Sequence, residues 1–248
     1  MLPVLNASIL LAARSNPLTK STDLRGKNEL LWARSRLLRW FRLNVRTYPW
    51  RETSNPYFIL VAEMMLQRTR ADQVKPVYEK FVVQYPNITS AANAKLTDLK
   101  KLLWPLGLHG RAPVFRQMAR EIKSQFGGQV PMDRHRLKQI TGVGDYVAGA
   151  VLSFAFNSPE WIVDSNVVRV LTRFTGIRPL GEARRSRQVI EMAQEYCATR
   201  TPRNANLALL DHAGIICKPI APACSLCPLK QRCVFIAGSR RTKTSPRS

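Results

Sequence analysis

Four cysteines near the end of the chain have the types and spacing to do chemistry. Cys217, Cys224, Cys227 and Cys233 follow a C-x6-C-x2-C-x5-C pattern. Four thiolates so close in sequence can close around one metal centre, and iron–sulfur clusters are held by four-cysteine sets of this kind. Pro219, Pro222 and Pro228 forbid a continuous helix there, so the segment reads as a compact loop. Zinc is the competing metal. Structural zinc sites usually come as two short C-x2-4-C pairs, and only one pair is short here. Disulfides are the alternative to any metal, but nothing else suggests secretion and a chain this long does not need them. The fifth cysteine, Cys197, reads as a small buried apolar residue.

A second signal lies in LKQITGVGDYVAGA, residues 137–150. A short helix ends near Gln139, Ile140 to Gly144 make a tight turn, and a second helix starts at Asp145. Gly142 and Gly144, on either side of Val143, let the backbone approach a ligand and present adjacent N–H groups. The following helix N-terminus adds its dipole. That corner suits a DNA phosphate and reads no base sequence. A G-V-G corner is common by itself. It gains meaning from the cysteine loop and the basic chain around it. Ala148, Gly149 and Ala150 would let the second helix pack closely on a neighbour.

Two carboxylates sit in apolar surroundings. Glu63 lies inside YFILVAEMML, residues 57–66. Burying an unpaired charge is costly, so such a glutamate is rarely there for packing. Burial should raise its pKa and favour a protonated acid. The alternative is an exposed stripe, or a salt bridge to Arg68 or Arg70. Asp164 lies in WIVDSNVVRVL, where its ordinary role is a helix N-cap. The hairpin placed before it raises the weight of a chemical role.

These groups need elements to hold them. The chain has 248 residues, 45% of them hydrophobic, which suits one large domain or two small lobes. The formal net charge of +23 implies a polyanionic partner, nucleic acid before a membrane surface. No apolar run is long enough to span a bilayer. Residues 2–13 loosely resemble a signal-peptide core but lack a basic n-region and a convincing cleavage site. Residues 1–28 read as a disordered or weakly helical extension. Helical periodicity dominates thereafter. The spacing predicts helices over 29–46, 57–68, 71–84, 95–103, 112–126, 133–139, 145–156, 165–174, 183–198 and 204–216. In the first, Leu30, Leu31, Leu37, Leu38 and Phe41 form the apolar stripe. Gly127 and Gly128 stop the helix before them. Alternating strand patterns are scarce, so the chain is read as all-α. The segment after Phe235 is basic, polar and expected to be disordered.

Helix-hairpin-helix, then V-D-S-N, then a four-cysteine loop: this order resembles the DNA glycosylases of the endonuclease III superfamily, which are helix-hairpin-helix (HhH-GPD) base-excision enzymes with a [4Fe-4S] cluster. The resemblance covers roughly residues 29–235. It implies a two-lobed all-α fold with the active site in the cleft between lobes. Residues 48–158 would form the six-helix lobe with the hairpin. Residues 29–47 and 159–235 would form the cluster-bearing lobe, and 236–248 a basic tail. Asp164 matches the catalytic aspartate, and Cys217, Cys224, Cys227 and Cys233 match the cluster ligands. Such enzymes flip the target nucleotide out of the duplex. Leu108 matches the position of a wedging side chain. Gln67 and Arg68 match residues that fill the vacated space or face the widowed base. Gly142, Val143 and Gly144 match the phosphate-binding hairpin.

Bifunctional members carry lysine two residues after the second hairpin glycine. Here that position is Tyr146, whose phenol cannot form a Schiff base. The resemblance therefore implies a monofunctional water mechanism with Asp164 and Glu63. Two subfamilies keep the glutamate and can carry tyrosine. One is the Mig-type mismatch glycosylase, acting on T or U opposite G. The other is the MutY-type adenine glycosylase, acting on A opposite 8-oxoguanine or G. YPWRETSNPY, NLALLDHAGIIC and ACSLCPLKQRC look like both. MutY proteins generally carry a C-terminal MutT-like domain, and this chain stops just after the cluster. Gln67-Arg68-Thr69 is nearer the R-R-T of Mig than the Q-Q-T of MutY. V-D-S-N replaces V-D-G-N, and PLGLHGRAP lacks Y-Y-A-R. T or U opposite G is the expected substrate, with the adenine reading behind it. A non-catalytic damage-binding protein of the same fold is the third reading. The implied setting is a monomer on double-stranded DNA in the cytoplasm, at the nucleoid, with no membrane.

Overall fold

The computed structural model describes the backbone of residues 17–243 and the side chains of residues 26–238. In chain order the helices are α1 (Pro17–Asn44), α2 (Pro56–Leu66), α3 (Ala71–Gln84), α4 (Ile88–Ala92), α5 (Leu96–Leu103) and α6 (Ala112–Gln125). Then come α7 (Arg134–Lys138), α8 (Asp145–Phe156), α9 (Ser165–Thr175), α10 (Arg187–Cys197), α11 (Pro202–Ile215) and α12 (Val234–Lys243). There is no strand among the described residues, so the chain is all-α as the periodicity implies.

Local sequence sets the helix ends. Asn55 caps α2 by accepting from the Tyr57 N–H, with Pro56 at the first helical position. Asn87 and Ser90 close a capping box on α4. α6 stops where Gly127 and Gly128 take left-handed φ values of 59° and 79°, and Gly128 N–H reaches back to the Ile122 carbonyl at 2.9 Å. Asn157 ends α8 in the same left-handed region, with φ 51°.

The helices pack in two sets. In one, α2 lies on α3 and α8, α6 on α4 and α5, and α7 on α8. In the other, α1 lies on α10 and α11, while α9 meets α10, α11 and α12. α11 also touches α8 and so links the sets. Ile59 to Met65 of α2 are all buried, so this helix is apolar on every side because it has no solvent face. Among the described residues no helix is long and apolar enough to cross a membrane.

Several expected boundaries move. The first helix starts at Pro17, not near Glu29. Its buried stripe is Leu30, Ala33, Leu37 and Phe41, and Leu31 falls outside it at 38% exposure. α4 has only five residues, too few to show a period. The helix expected over 183–198 is broken. Ala183–Arg185 form a 3-10 turn, and Ser186 is extended with ψ 126° before α10 begins. α12 runs on to Lys243, through the first part of the segment expected to be a disordered tail. The remaining parts of the expected extension and tail, 1–16 and 244–248, lie outside the described residues.

Candidate active site

α2, α8 and α9 bring three of the expected residues to one cavity of about 270 Å³. Glu63 reaches it from the middle of α2, Tyr146 from the first turn of α8, and Asp164 from the N-terminus of α9. Arg51, Asn166 and Arg203 share the lining.

Glu63 is 4% exposed, and its Oε2 atom has no hydrogen-bond partner. Burial pushes its pKa up from 4.5 to about 7, against the opposing charge of Arg51 and with the added push of Asp164. The cation that acts on it is therefore Arg51, while Arg68 and Arg70 point into solvent as exposed residues. The Tyr146 hydroxyl lies within hydrogen-bond reach of Glu63. Burial first, then the charges of Glu63 and Asp164, push the phenol well above its ordinary value, so it stays neutral.

Asp164 does cap α9. Its Oδ1 accepts from the N–H groups of Asn166 at 2.9 Å and Val167 at 2.7 Å. Its Oδ2 accepts from the Asn166 amide at 2.7 Å. The cap and the cavity are not alternatives, because capping is what aims the carboxylate at the cavity beside Glu63.

The arginines around this cavity are the residues that sequence reading missed. Asp211 of α11 is completely buried and accepts from Arg46 Nε at 2.7 Å and from both Arg51 Nη atoms at 2.8 Å. Burial pushes Asp211 up, but the two guanidiniums outweigh it and hold the carboxyl below its usual range. The pair fixes Arg51 near Glu63. An acid inside NLALLDHAGIIC carries the same signal as Glu63 and could have been found by it.

The hairpin forms where expected. Gly142 has φ 88°, and a Cβ there would meet Val114 Cγ1 at 2.7 Å and Met64 Cε at 2.9 Å, so only glycine fits. Glu121 clamps the turn: its carboxylate accepts from the Thr141 N–H and from the Thr141 hydroxyl, each at 2.7 Å. Val143 is buried and its N–H closes the turn on the Ile140 carbonyl at 3.0 Å. Gly144 is extended, and no side chain caps α8, which leaves its first N–H groups for an anion. Gly149 packs closely not on another helix but on the backbone carbonyl of Trp161.

Gln67 donates to the Gly142 carbonyl at 3.4 Å and accepts from Arg111 Nη2 at 2.7 Å. Arg68 is exposed and holds a left-handed φ of 65°, a strained state for a residue with a Cβ. Leu108 is 8% exposed, packed into the core rather than projecting as a wedge would. The reason is local: Gly107 turns the chain with φ 67° and Leu108 N–H bonds back to the Leu103 carbonyl at 3.2 Å.

All four loop cysteines line one small apolar cavity between α9, α11 and the loop, and none of them is paired in a disulfide. Burial pushes Cys227 up to about 11, and the other three thiols add to it. His212 Nε2 lies 3.3 Å from Cys227 Sγ, and Arg173 Nη1 lies 3.7 Å from Cys217 Sγ. Among the described residues no three His, Cys, Asp or Glu side chains are gathered to hold a single metal ion. Cys197 is buried against the Pro159 and Gln194 carbonyls, apart from the loop.

Known proteins place this geometry. The profile of the HhH-GPD superfamily of base excision DNA repair proteins matches residues 61–198. A thymine-DNA glycosylase of Aeropyrum pernix is 36% identical over 216 residues, 85% of this chain and 96% of that protein. An adenine DNA glycosylase of Buchnera aphidicola is 32% identical, over 79% of this chain and 56% of that protein. The solved structure of a thermostable thymine-DNA glycosylase superposes with a TM-score of 0.78 at 31% identity, covering 85% of this chain and 98% of that one. The chain belongs to the HhH-GPD superfamily of base excision DNA repair proteins, among its DNA glycosylases.

Proposed function

We propose that this mismatch DNA glycosylase removes thymine or uracil opposite guanine by hydrolysis, with Asp164 and Glu63 as its catalytic groups. One observation carries the reading: a buried, protonatable Glu63 and an N-capping Asp164 share a cavity, and the hairpin sits at the N-terminus of the helix that brings Tyr146 into it. The cavity lies between the two helix sets, taken as lobes 48–158 and 29–47 plus 159–235. The hairpin and α8 N–H groups bind a backbone phosphate, and the target nucleotide swings into the cavity. Near neutral pH Glu63 holds a proton that it gives to the leaving base. The Asp164 carboxyl group faces the positive charge that grows on the sugar and stabilises it electrostatically. Water adds to C1′ as hydroxide, and its remaining proton returns to the Glu63 carboxylate, which restores the starting state. Arg51, fixed by Asp211, keeps Glu63 from rising further. Tyr146 offers no amine, so no covalent sugar adduct forms and the strand stays whole.

Similarity favours this substrate, at 36% identity to the Aeropyrum thymine enzyme against 32% to the Buchnera adenine enzyme. Cys217, Cys224, Cys227 and Cys233 would hold a [4Fe-4S] cluster. The C-x6-C-x2-C-x5-C spacing, with only one short pair, and the gathering of all four side chains at one cavity suit a cluster better than zinc. The group would supply a rigid, electron-storing cross-link to the loop. The enzyme acts as a monomer on nucleoid DNA.

The test is single-turnover release of thymine from a T·G duplex by the native protein and by Asp164→Asn, with duplex affinity measured beside it. Loss of release with retained binding is expected. Near-native turnover by Asp164→Asn would reduce Asp164 to a helix cap.

A further inference from the structure

We propose that Asp145 is a counter-charge built into the phosphate-binding corner, which lowers the hairpin's grip on every duplex by holding Lys138 and repelling the DNA backbone. The inference rests on the reading that the hairpin and the first turn of α8 bind a backbone phosphate. Asp145 opens α8, directly after Gly144. Its carboxylate is half exposed and lies 2.7 Å from Lys138 Nζ, with Arg134 Nη1 at 3.9 Å. An acid in a first turn stabilises its own helix, because it faces the positive end of the dipole. A DNA phosphate seeks the same end for the same reason. At this one turn the demands of the helix and of the ligand oppose each other.

The neighbouring cations sharpen the conflict. Arg134, Arg136 and Lys138 are the lysine and arginine side chains of α7. Arg134 is held on three sides, by Glu160 at 2.7 Å and by the carbonyls of Asp145 at 2.9 Å and Trp161 at 2.7 Å. Arg136 lies over the Phe126 ring, 5.1 Å from its centroid. Lys138 is the exposed cation in the last turn before the hairpin, the natural partner of a phosphate there, and Asp145 neutralises it. Glu121, the other acid at the turn, differs: both its oxygens accept from Thr141, so it shapes the hairpin. A chain of net charge +23 is drawn to any duplex. A neutral Lys138–Asp145 pair weakens that attraction at the contact that reads no base. The enzyme therefore leaves ordinary duplex more readily.

The experiment measures Kd for a fully paired duplex over a range of salt concentrations. The proteins are the native chain, Asp145→Asn, Lys138→Ala, the double variant and Glu191→Gln. Glu191 is the control acid, exposed and paired with Arg187 on α10, which packs on α1, α9 and α11. Asp145→Asn should bind about three- to tenfold tighter at low salt, as removal of one charge beside a phosphate would. Its log Kd should rise more steeply with log salt, by about 0.9, for the one counterion that Lys138 then displaces. Lys138→Ala should weaken binding, because Asp145 is left uncovered. The double variant should return to within about twofold of native, since its local charge is restored. Glu191→Gln should also stay within about twofold, because its charge is screened from the hairpin. Equal or weaker binding by Asp145→Asn would reduce Asp145 to a helix-stabilising acid and overturn the proposal. Equal tightening by Glu191→Gln, or a double variant as tight as Asp145→Asn, would overturn it too. A native protein that binds no duplex, or binds it without salt dependence, defeats the hairpin reading itself.

Discussion

Arg169 Nη2 donates to Asn166 Oδ1 at 3.0 Å, on the far side of Asn166 from Asp164. The same guanidinium reaches the carbonyls of Ala213 at 3.0 Å and Cys217 at 2.8 Å. Asn166 passes the link on by donating to Asp164 Oδ2 at 2.7 Å. One chain of hydrogen bonds thus runs from the backbone of the first loop cysteine to the aspartate in the cavity.

Arg169→Leu should therefore slow base release without touching the cavity. Leaving Asn166 and two carbonyls unpaired costs about 1–3 kcal/mol, and if that falls on the orientation of Asp164 the rate drops roughly 10–100-fold. Single-turnover excision, with iron content measured on the same sample, checks it. An unchanged rate in a variant that keeps its iron would disconnect the loop from Asp164.

How much of this was legible in the sequence depends on the distance between partners. The hairpin, the cysteine spacing and Glu63 are local patterns: the turn forms at Gly142, Glu63 is buried, and the four cysteines line one cavity. Arg51 and Asp211 are 160 residues apart, so no local pattern pairs them. Leu108 was matched by position alone, and the Gly107 turn that buries it is a matter of backbone conformation. Leu31 looked like core because a helix stripe can be drawn through it, yet packing on α10 and α11 selected Leu30, Ala33 and Leu37 instead.

Glu63 gives the enzyme a pH dependence of defined sign. It binds its proton more tightly folded than unfolded, so stability falls as pH rises from about 4.5 through about 7. That gap corresponds to about 3 kcal/mol. Glu63→Gln cannot ionise, so its stability relative to the native protein should rise across the same window. Denaturation at pH 5 and pH 8 measures it. Excision by the native protein should fall above about pH 7, and Glu63→Gln should lose about 10²–10⁴-fold at every pH. Equal pH profiles for the two proteins would mean that Glu63 carries no proton to the base.

Tyr146 bears on strand cleavage. Borohydride should trap no adduct with the native protein. Tyr146→Lys places an amine in the cavity between Glu63 and Asp164, where burial favours its neutral, nucleophilic form. It should gain a trappable intermediate and some strand scission, at a reduced excision rate. A folded, DNA-binding Tyr146→Lys protein that never traps would remove this residue from the reacting centre.

Purified anaerobically, the protein should be brown and carry about four irons per chain, and Cys224→Ser should lose them. A colourless protein with stoichiometric zinc would contradict the cluster.

The central claim is hydrolysis of a pyrimidine opposite guanine. The most direct measurement compares base release from T·G, U·G, A·G and A·8-oxoguanine duplexes side by side, with each strand analysed before and after alkali. Release from T·G and U·G alone, with strands intact until alkali, is the predicted result. Release of adenine in preference, or strand breaks before alkali, would contradict it.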